Sequence, residues 1–378
     1  MFAGARVVFA IALSVAVGSG CERGVIAEDT SLSAPGVSRD RAAKKPEGQP
    51  RTSHGDSVAR EGIILGEYPG SSVWVIDGDT IRVDDLRDAV RIIAIDTEEV
   101  PKRRERASIE RDFKGHLRRA RGDSPRPRKP GTPMGDDAKA FAAEFFADVE
   151  SVRLERDEPK RQRGHFGRPL AYVFARKDGR WTHYNVEAVR AGMSPYFTKY
   201  GYSQRFHNQF ARAESEAQAA KRGIWDPGLD HYDDYPERKS WWDARADFIR
   251  TSEHRGAGQD NYLLLDHSDA AARLEALVGE EAVVLGTVGR IQFFKGLVRV
   301  FLEGANKFDF PLIFRSRAVF AQSGLGRFTK EPVLVRGTVE RYKKGKVDTL
   351  QIVVTDPRQV SLPKLPPSRD ETTPAVDR

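Results

Sequence analysis

The sequence predicts an α+β protein in which a β-meander supported by helices precedes a small C-terminal β-barrel. Three patterns lead to this prediction. Apolar and polar residues alternate between Val73 and Ile95. Apolar residues recur at every third or fourth position in two later stretches, and alternation returns in five short stretches after residue 280. At 378 residues the chain is long enough for two or three domains.

The composition is that of a charge-rich, basic protein. Hydrophobic residues make up 39% and charged residues 31% of the chain, and the formal net charge is +7. This balance favours an anionic partner, either nucleic acid or an acidic envelope surface. A single cysteine excludes an internal disulfide and a zinc site built from several cysteines.

The first 21 residues have the layout of a signal peptide. Arg6 precedes an apolar run that ends in Gly18, Ser19 and Gly20, and Cys21 follows. The run is too short for a transmembrane helix. A lone cysteine at this point resembles a lipoprotein lipobox, so we predict export to the cell envelope or periplasm with a lipid anchor on Cys21. The alternative is a secreted protein whose cysteine happens to lie near the cleavage site.

Residues 22–60 are polar, with almost no large apolar side chains, and are predicted to be a disordered tether. The predicted meander follows, with strands at 73–76, 80–83 and 89–95 and the turn Asp77-Gly78-Asp79 between the first two. From residue 101 to residue 130 the chain carries 12 basic and 4 acidic residues. We expect a solvated helix followed by a loop, a basic flap that attracts phosphates, or both.

The rest of the chain divides by its periodicity. Helices are predicted at 136–149, 184–191 and 203–222, and strands at 152–154 and 170–175. Residues 228–277 form a predicted helical linker with a helix around Trp241 and Trp242. Five alternating strands with a helical insert at 317–322 predict a barrel over 278–362, and the tail 363–378 is Pro-rich.

Carboxylates and arginines gather around the meander. Asp79 and Asp96 lie at turns beside adjacent strands, where carboxylates suit a hard cation such as Ca²⁺ or Mg²⁺, and no His or Cys is present to favour zinc. Glu99 is placed to orient or deprotonate a water molecule, and Arg91 and Arg168 are natural phosphate partners. A surface turn and surface ion pairs remain the alternatives.

Five motifs occur in the order found in one family. They are IDGDT at 76–80, RIIAIDTEE at 91–99, GHFGRPLAYVF at 164–174, NVEAVRAG at 185–192 and FARAESEAQAAKRGIW at 210–225. From about Gly62 to Trp225 the chain therefore resembles the staphylococcal-nuclease-like, or thermonuclease, family. The resemblance implies an OB-type five-stranded β-barrel with three helices over 61–227, and a monomeric Ca²⁺-dependent endonuclease that hydrolyses DNA and RNA.

The resemblance also implies roles for six residues. Asp79 and Asp96 match the metal carboxylates, Thr97 the residue whose backbone carbonyl faces the metal, and Glu99 the general base or water-positioning group. Arg91 and Arg168 match the two catalytic arginines. Three features depart from the family. Glu98 replaces the usual Pro, and we expect it to raise the pKa of Glu99 or to compete for metal. His165 and Phe166 replace Lys and Tyr, and the segment 101–130 is longer.

The C-terminal strands lie outside these motifs and look like a second, OB-like barrel. Its aromatic residues are either core residues or a surface on which bases stack, namely Phe293, Phe294, Phe301, Phe308 and Phe310. Two other functions stay open for the whole chain. One is a non-catalytic nucleic-acid-binding protein built on both barrels, and the other is an envelope interaction protein.

Overall fold

The computed structural model describes residues 62–367 apart from 162, 165 and 166, and it leaves the side chain of residue 306 undescribed. All of the described residues belong to one compact unit, Ser57–Arg378. The predicted signal peptide, Cys21, the tether, the end of the tail, His165 and Phe166 lie outside the described residues. In the described part of the chain, no helix combines the length and the apolar character needed to cross a bilayer.

Alternating apolar residues form the strands of a seven-stranded N-terminal sheet. Its strands are β1 (Ile63–Pro69), β2 (Val73–Asp77), β3 (Thr80–Val83), β4 (Val90–Ile92), β5 (Ser151–Arg156), β6 (Leu170–Lys177) and β7 (Arg180–His183). They pair in the order β1-β5-β6-β4-β3-β2, with β7 beside β6. Only β4 and β6 pair in parallel, with Arg91 opposite Leu170. A three-residue turn joins β1 to β2, so the two ends of this path are covalently continuous.

Helices whose apolar faces cover this sheet follow the predicted periodicity. They are α3 (Pro133–Phe146), α4 (Tyr184–Arg190) and α5 (His207–Ala219), and they come after two short helices of the basic segment, α1 (Arg103–Arg111) and α2 (Phe113–Arg121). Core side chains from strands and helices meet in one cluster that includes Ile81, Val90, Val173, Tyr184 and Phe210. Burying each large apolar side chain of this kind stabilises the fold by about 1.5–3 kcal/mol.

A long helix connects the two sheets. This helix, α6 (Tyr235–Gly256), begins with Pro236 in its first turn, as suits the fixed φ of proline. Trp242 is buried against Phe197, with ring centroids 4.8 Å apart. Arg245 is also buried and reaches Glu331, just before the first residue of a C-terminal strand. The helix therefore packs against both halves of the described chain.

The C-terminal residues form a second seven-stranded sheet. Its strands and helices are β8 (Tyr262–Leu264), α7 (Ala270–Ala276), β9 (Glu281–Phe294), β10 (Leu297–Glu303), β11 (Asp309–Phe314), α8 (Arg317–Ser323), β12 (Pro332–Lys344), β13 (Val347–Val353) and β14 (Val360–Ser361). Five strands pair in the order β9–β10–β11–β13–β12. Because β12 also pairs with β9, these strands form a closed cycle. This cycle repeats the strand order of the first sheet, including one parallel pair, β11–β13.

Most predicted elements agree with the structure to within a few residues, and the structure adds others. The prediction placed the first strand at Val73 and missed β1, where Gly66 and Pro69 interrupt the alternation. It also missed β7 and β8, which are four and three residues long. Phe310, predicted as a core or stacking residue, is fully buried in the core of the second sheet.

Candidate active site

Arg91 stands at the centre of the predicted site because of the strand register. It pairs with Thr80 of β3, the residue that follows Asp79. After β4 the chain turns through Ala94, whose φ of 61° lies in the left-handed region, and Ile95 forms a bridge with Tyr196. A non-glycine residue in this region costs energy, so the turn is held by its surroundings. It returns Asp96 to the side of Arg91.

The two predicted metal carboxylates share one guanidinium. Arg91 Nη1 contacts Asp79 Oδ1, and Arg91 Nη2 donates to Asp96 Oδ1 at 2.7 Å. Asp79 and Asp96 are 6% and 5% exposed, so the carboxylates are buried and depend on nearby cations. The structure therefore brings Asp79, Asp96 and Arg91 together, as the sequence predicted.

Hydrogen bonds fix the orientation of the Asp79 carboxylate and the position of the Asp96 backbone. Thr80 Oγ1 donates to Asp79 Oδ1 at 3.0 Å, and the Thr97 amide donates to Asp79 Oδ2 at 3.2 Å. The amide of Asp96 donates to Ser194 Oγ at 2.8 Å. Thr97 thus contacts Asp79 through its backbone amide.

A lysine of the basic segment also belongs to the site. Lys129 Nζ contacts Asp96 Oδ1, the same oxygen that Arg91 contacts. Burial opposes ionisation of Asp96, but the charges of Lys129 and Arg91 outweigh it and hold the pKa of Asp96 below its ordinary value. Asp96 is therefore an anion with two cations on one oxygen.

Asp77 is the carboxylate that the sequence prediction left out. It accepts a hydrogen bond from the Asp79 amide at 3.1 Å, which closes the Asp-Gly-Asp turn. Burial raises the pKa of Asp77, while hydrogen bonding from Thr80 and the charges of Arg91 and Arg168 act in the opposite direction. Its proximity to these arginines makes Asp77 part of the electrostatic environment of the site.

Glu99 and Arg168 lie at the exposed border of this cluster. Both side chains are exposed, and neither makes an ion pair with a described residue. Arg168 immediately precedes Pro169, whose carbonyl accepts from the Arg91 amide at 2.9 Å. The structure thus brings the backbone of the second arginine next to the first, while the Arg168 and Glu99 side chains face solvent.

Glu98 departs from the family pattern, and the structure gives it a different role from the one predicted. It is 1% exposed and accepts from the Tyr232 amide at 2.8 Å, the Tyr235 hydroxyl at 2.9 Å and the Thr132 hydroxyl. Burial raises the pKa of this carboxyl, and these hydrogen bonds oppose the rise. The predicted competition for metal is not what the structure shows, because both carboxylate oxygens of Glu98 already accept hydrogen bonds from protein donors.

The donor set suits a hard cation. Asp79 and Asp96 supply buried carboxylate oxygens that already converge on a positive group. Across residues 62–367, gaps aside, no three His, Cys, Asp or Glu side chains assemble into a metal cage. Ca²⁺ accepts carboxylate, backbone carbonyl and water oxygens, so Asp79 and Asp96 fit such an ion and would hold it together with further oxygen ligands.

Comparison with known proteins identifies the family of this site. The family model for staphylococcal nuclease homologues matches residues 89–227. The thermonuclease of Staphylococcus hyicus is 30% identical over 158 residues, which cover 40% of this chain and 73% of the relative. The chain belongs to the staphylococcal nuclease homologue family.

Two further relatives give similar coverage. The thermonuclease of Staphylococcus intermedius is 30% identical over 155 residues, covering 40% of this chain and 73% of its own. An uncharacterised protein of Methanocaldococcus jannaschii is 25% identical over 170 residues, covering 42% and 72%. The N-terminal sheet with its helices is therefore a domain of the staphylococcal nuclease type, with the OB fold that the resemblance implies.

Sequence reasoning missed Lys129 as a site residue for a definite reason. Lys129 was one of 12 basic residues in its segment, and no local pattern distinguished it from the others. Its only signal was its place just before Pro130, which sets it at the end of the basic segment beside α3. The expectation of a basic segment beside the cluster agrees with the Lys129–Asp96 contact.

Proposed function

We propose that this protein is a Ca²⁺-dependent nuclease that hydrolyses phosphodiester bonds of DNA and RNA. Family membership supports a nuclease of the hydrolase class, and the dependence on Ca²⁺ and the range of substrates are our proposal. The observation that carries it is the convergence of two buried carboxylates, Asp79 and Asp96, on the Arg91 guanidinium. That arrangement supports the proposal, because carboxylate oxygens suited to a hard cation lie beside a planar group with N–H donors.

The residues divide the chemistry of hydrolysis between them. Asp79 and Asp96, with the Thr97 carbonyl, would hold Ca²⁺, which when bound supplies a positive charge that stabilises the negative charge on phosphate. Arg91 donates N–H groups to phosphate oxygens, where a guanidinium matches the geometry of two oxygens at once. Arg168 supplies a second such group from the exposed loop before β6.

Glu99 takes the proton of the attacking water. Its exposed carboxylate accepts that proton as the water oxygen bonds to phosphorus, and the bond to the leaving oxygen breaks as that oxygen takes a proton from solvent water. The products are a phosphate monoester and a hydroxyl group. Because charge grows on the phosphate oxygens in the transition state, Arg91 and Arg168 contribute most at that point.

The experiment is a cleavage assay with DNA and RNA under metal titration. Purified protein is expected to cleave both with Ca²⁺ and to stop when a chelator is added. Glu99→Gln and Arg168→Ala are expected to lose at least about a hundredfold in rate, as removal of a general base or of a transition-state donor does elsewhere. Glu110→Gln and Arg180→Ala change equally exposed residues of the same types and should keep full activity.

Two outcomes separate this proposal from its rivals. Binding of nucleic acid without cleavage at every Ca²⁺ concentration identifies a non-catalytic binding protein. Neither binding nor cleavage identifies an interaction protein of the envelope. Full activity in both Glu99→Gln and Arg168→Ala contradicts the assignment of these residues.

We also propose that the protein is an exported, lipid-anchored monomer. The N-terminal apolar run followed by Cys21 supports export and lipidation. Fractionation of cells is expected to place the protein with membranes, and Cys21→Ala is expected to release it in soluble form. Retention of the variant in the membrane fraction contradicts anchoring through Cys21.

A further inference from the structure

Arginine and phenylalanine side chains share the outer face of the β9–β10 hairpin. In β10 the residues Val298, Val300 and Leu302 are fully buried in the core. Alternate residues of a strand point to opposite faces, so Arg299 and Phe301 lie on the outer face. We call the outer-face residues Arg290, Phe294, Arg299 and Phe301 the hairpin platform.

Cations lie over the rings of this platform. The Arg290 guanidinium carbon is 4.4 Å from the centroid of Phe301. Arg299 lies 5.4 Å from the centroid of Phe294 and 5.9 Å from that of Phe301. The register places Phe294 opposite Leu297 and Arg299 opposite Gln292, so the contacts run across the hairpin. These distances are within the range of cation–π attraction, which holds the guanidinium planes against the rings.

The platform is positively charged and remains open to solvent. No acidic residue occurs between Glu281 and Glu303, whereas Arg290, Lys295 and Arg299 lie in that stretch. Neither Arg290 nor Arg299 forms an ion pair with a carboxylate of the described residues. Phe294 is 43% exposed, which is unusual for a large apolar side chain, and Arg290 is exposed as well. The positive charge and the aromatic surface are therefore both available to a partner.

Single-stranded nucleic acid is the partner that matches this chemistry. Its phosphates pair with arginines, and its unpaired bases stack on aromatic rings and on guanidinium planes. In a duplex the base faces are already stacked on each other and cannot use the rings. An anionic membrane would use the charge, but it offers no planar bases that stack on the rings and the guanidinium planes.

We propose that the hairpin platform of the C-terminal sheet binds single-stranded nucleic acid by base stacking on Phe294 and Phe301 and by phosphate pairing with Arg290 and Arg299. The proposal does not rest on the proposed hydrolysis, because it concerns binding in the absence of metal. A protein that binds through the platform but cleaves nothing would disprove the nuclease function and leave this inference intact.

The experiment measures binding of the full chain to a fluorescein-labelled oligothymidylate of about 20 nucleotides, longer than one such site. Fluorescence anisotropy is followed in EDTA, which removes divalent metal. Arg290→Ala combined with Arg299→Ala is expected to weaken binding at least about tenfold. The slope of log K against log salt should fall by about 1.4, since each lost phosphate contact on single strands contributes about 0.7.

A matched control changes the same charge elsewhere in the C-terminal region. Arg336 and Arg358 lie in the C-terminal region and pair with Glu281 and Asp356. The double variant Arg336→Ala with Arg358→Ala is expected to bind within about twofold of the wild type. Equal losses in both double variants would overturn the proposal in favour of diffuse electrostatic attraction.

A second variant separates stacking from charge. Phe294→Ala leaves the net charge unchanged and removes an exposed ring, so folding should be preserved, and thermal melting checks this. We expect severalfold weaker binding with an unchanged salt slope. Unchanged affinity would overturn the stacking role. If the platform variants lose binding to phosphatidylserine vesicles and keep binding to the oligonucleotide, the site is a membrane site and the proposal is wrong.

Discussion

Lys129 and Arg91 contact the same oxygen of Asp96. Arg91 lies on strand β4 of the N-terminal sheet, whereas Lys129 lies at the end of the basic segment between β4 and α3. The lysine therefore neutralises a carboxylate that we propose as a metal ligand. A cation entering the site must share Asp96 with this ammonium group or displace it.

We expect Lys129→Ala to bind Ca²⁺ more tightly than the wild type. Removing a competing positive charge from Asp96 strengthens attraction for an incoming cation, and a gain of about three- to tenfold corresponds to roughly 1 kcal/mol in a partly solvated site. Isothermal titration calorimetry with Ca²⁺ alone measures the effect. Arg128→Ala removes the same charge from the adjacent exposed residue and should change affinity little. Equal affinities of the Lys129 variant and the wild type would show that the lysine does not compete.

Glu98→Ala is expected to destabilise the protein strongly. The Tyr232 amide and the Tyr235 and Thr132 hydroxyls would lose their acceptor in a buried position. Leaving several buried donors unpaired costs about 3–5 kcal/mol in total. Urea denaturation followed by circular dichroism gives the free energy of unfolding.

Glu98→Gln is the informative companion, because it keeps one acceptor oxygen and should recover about half of the loss. Glu110→Ala removes an exposed glutamate of α1 and should be neutral within about 0.5 kcal/mol. Similar stability of Glu98→Ala and the wild type would mean that these hydrogen bonds contribute no net stability. A rise in stability would mean that burial of the carboxyl costs more than its hydrogen bonds return.

Glu331→Ala is expected to loosen the connection between α6 and the second sheet. Glu331 accepts from Trp241 Nε1 at 2.9 Å and from the Arg245 guanidinium, and Arg245 is 1% exposed. Removing one member of a buried pair leaves an uncompensated charge and costs about 3–5 kcal/mol. Differential scanning calorimetry should show a lower midpoint. The double change Glu331→Leu with Arg245→Met should recover most of the loss, and failure to do so would show that the pair itself contributes net stability.

We expect the folded protein to lose stability in acid because of His183. Its ring stacks on Phe174 with centroids 4.3 Å apart, and neither ring nitrogen has a hydrogen-bond partner among the described residues. Burial, helped by the charge of Arg205, lowers the pKa of His183 from 6.5 to about 3. The unfolded chain therefore binds a proton near pH 6.5 that the folded chain does not bind until about pH 3. Stability is fully present above pH 6.5 and falls between these values, by up to about 1.4 kcal/mol per pH unit.

His183→Phe should flatten this part of the pH dependence, because it keeps an aromatic ring and removes the titrating group. Denaturation at several pH values between 3 and 7 measures the difference between variant and wild type. His254→Ala changes an exposed histidine of α6 and should keep the wild-type slope. Identical slopes for His183→Phe and the wild type would show that the imidazole is solvated in solution.

Local sequence patterns were sufficient to predict the strands on which the site residues lie. The alternation around Asp79 and Asp96 predicted a hairpin and a third strand, and hairpin geometry brings their ends together. The five C-terminal strands were predicted because each alternates and ends near glycine or a polar turn. These features depend on residues a few positions apart, which is the range over which periodicity carries information.

Contacts between distant parts of the chain could not be predicted in this way. A glutamate beside two other polar residues is expected at the surface, yet Glu98 is buried because its donors come from Tyr232 and Tyr235. Lys129 reaches Asp96 across 33 positions. In both cases tertiary packing, and not the local pattern, decided which groups the side chain contacts.

Because β4 and β6 pair in parallel, the distance between their site residues does not depend on the length of chain that connects the two strands. Arg91 and Leu170 are adjacent in this ladder, although α1, α2, α3 and β5 all lie between them in sequence. Closing a longer loop costs little additional entropy, about 0.6 kcal/mol for each doubling. New segments can therefore be accommodated between β4 and β6 during evolution while Arg91 and Arg168 keep their spacing. Each new segment can bring its own side chains to the edge of the site.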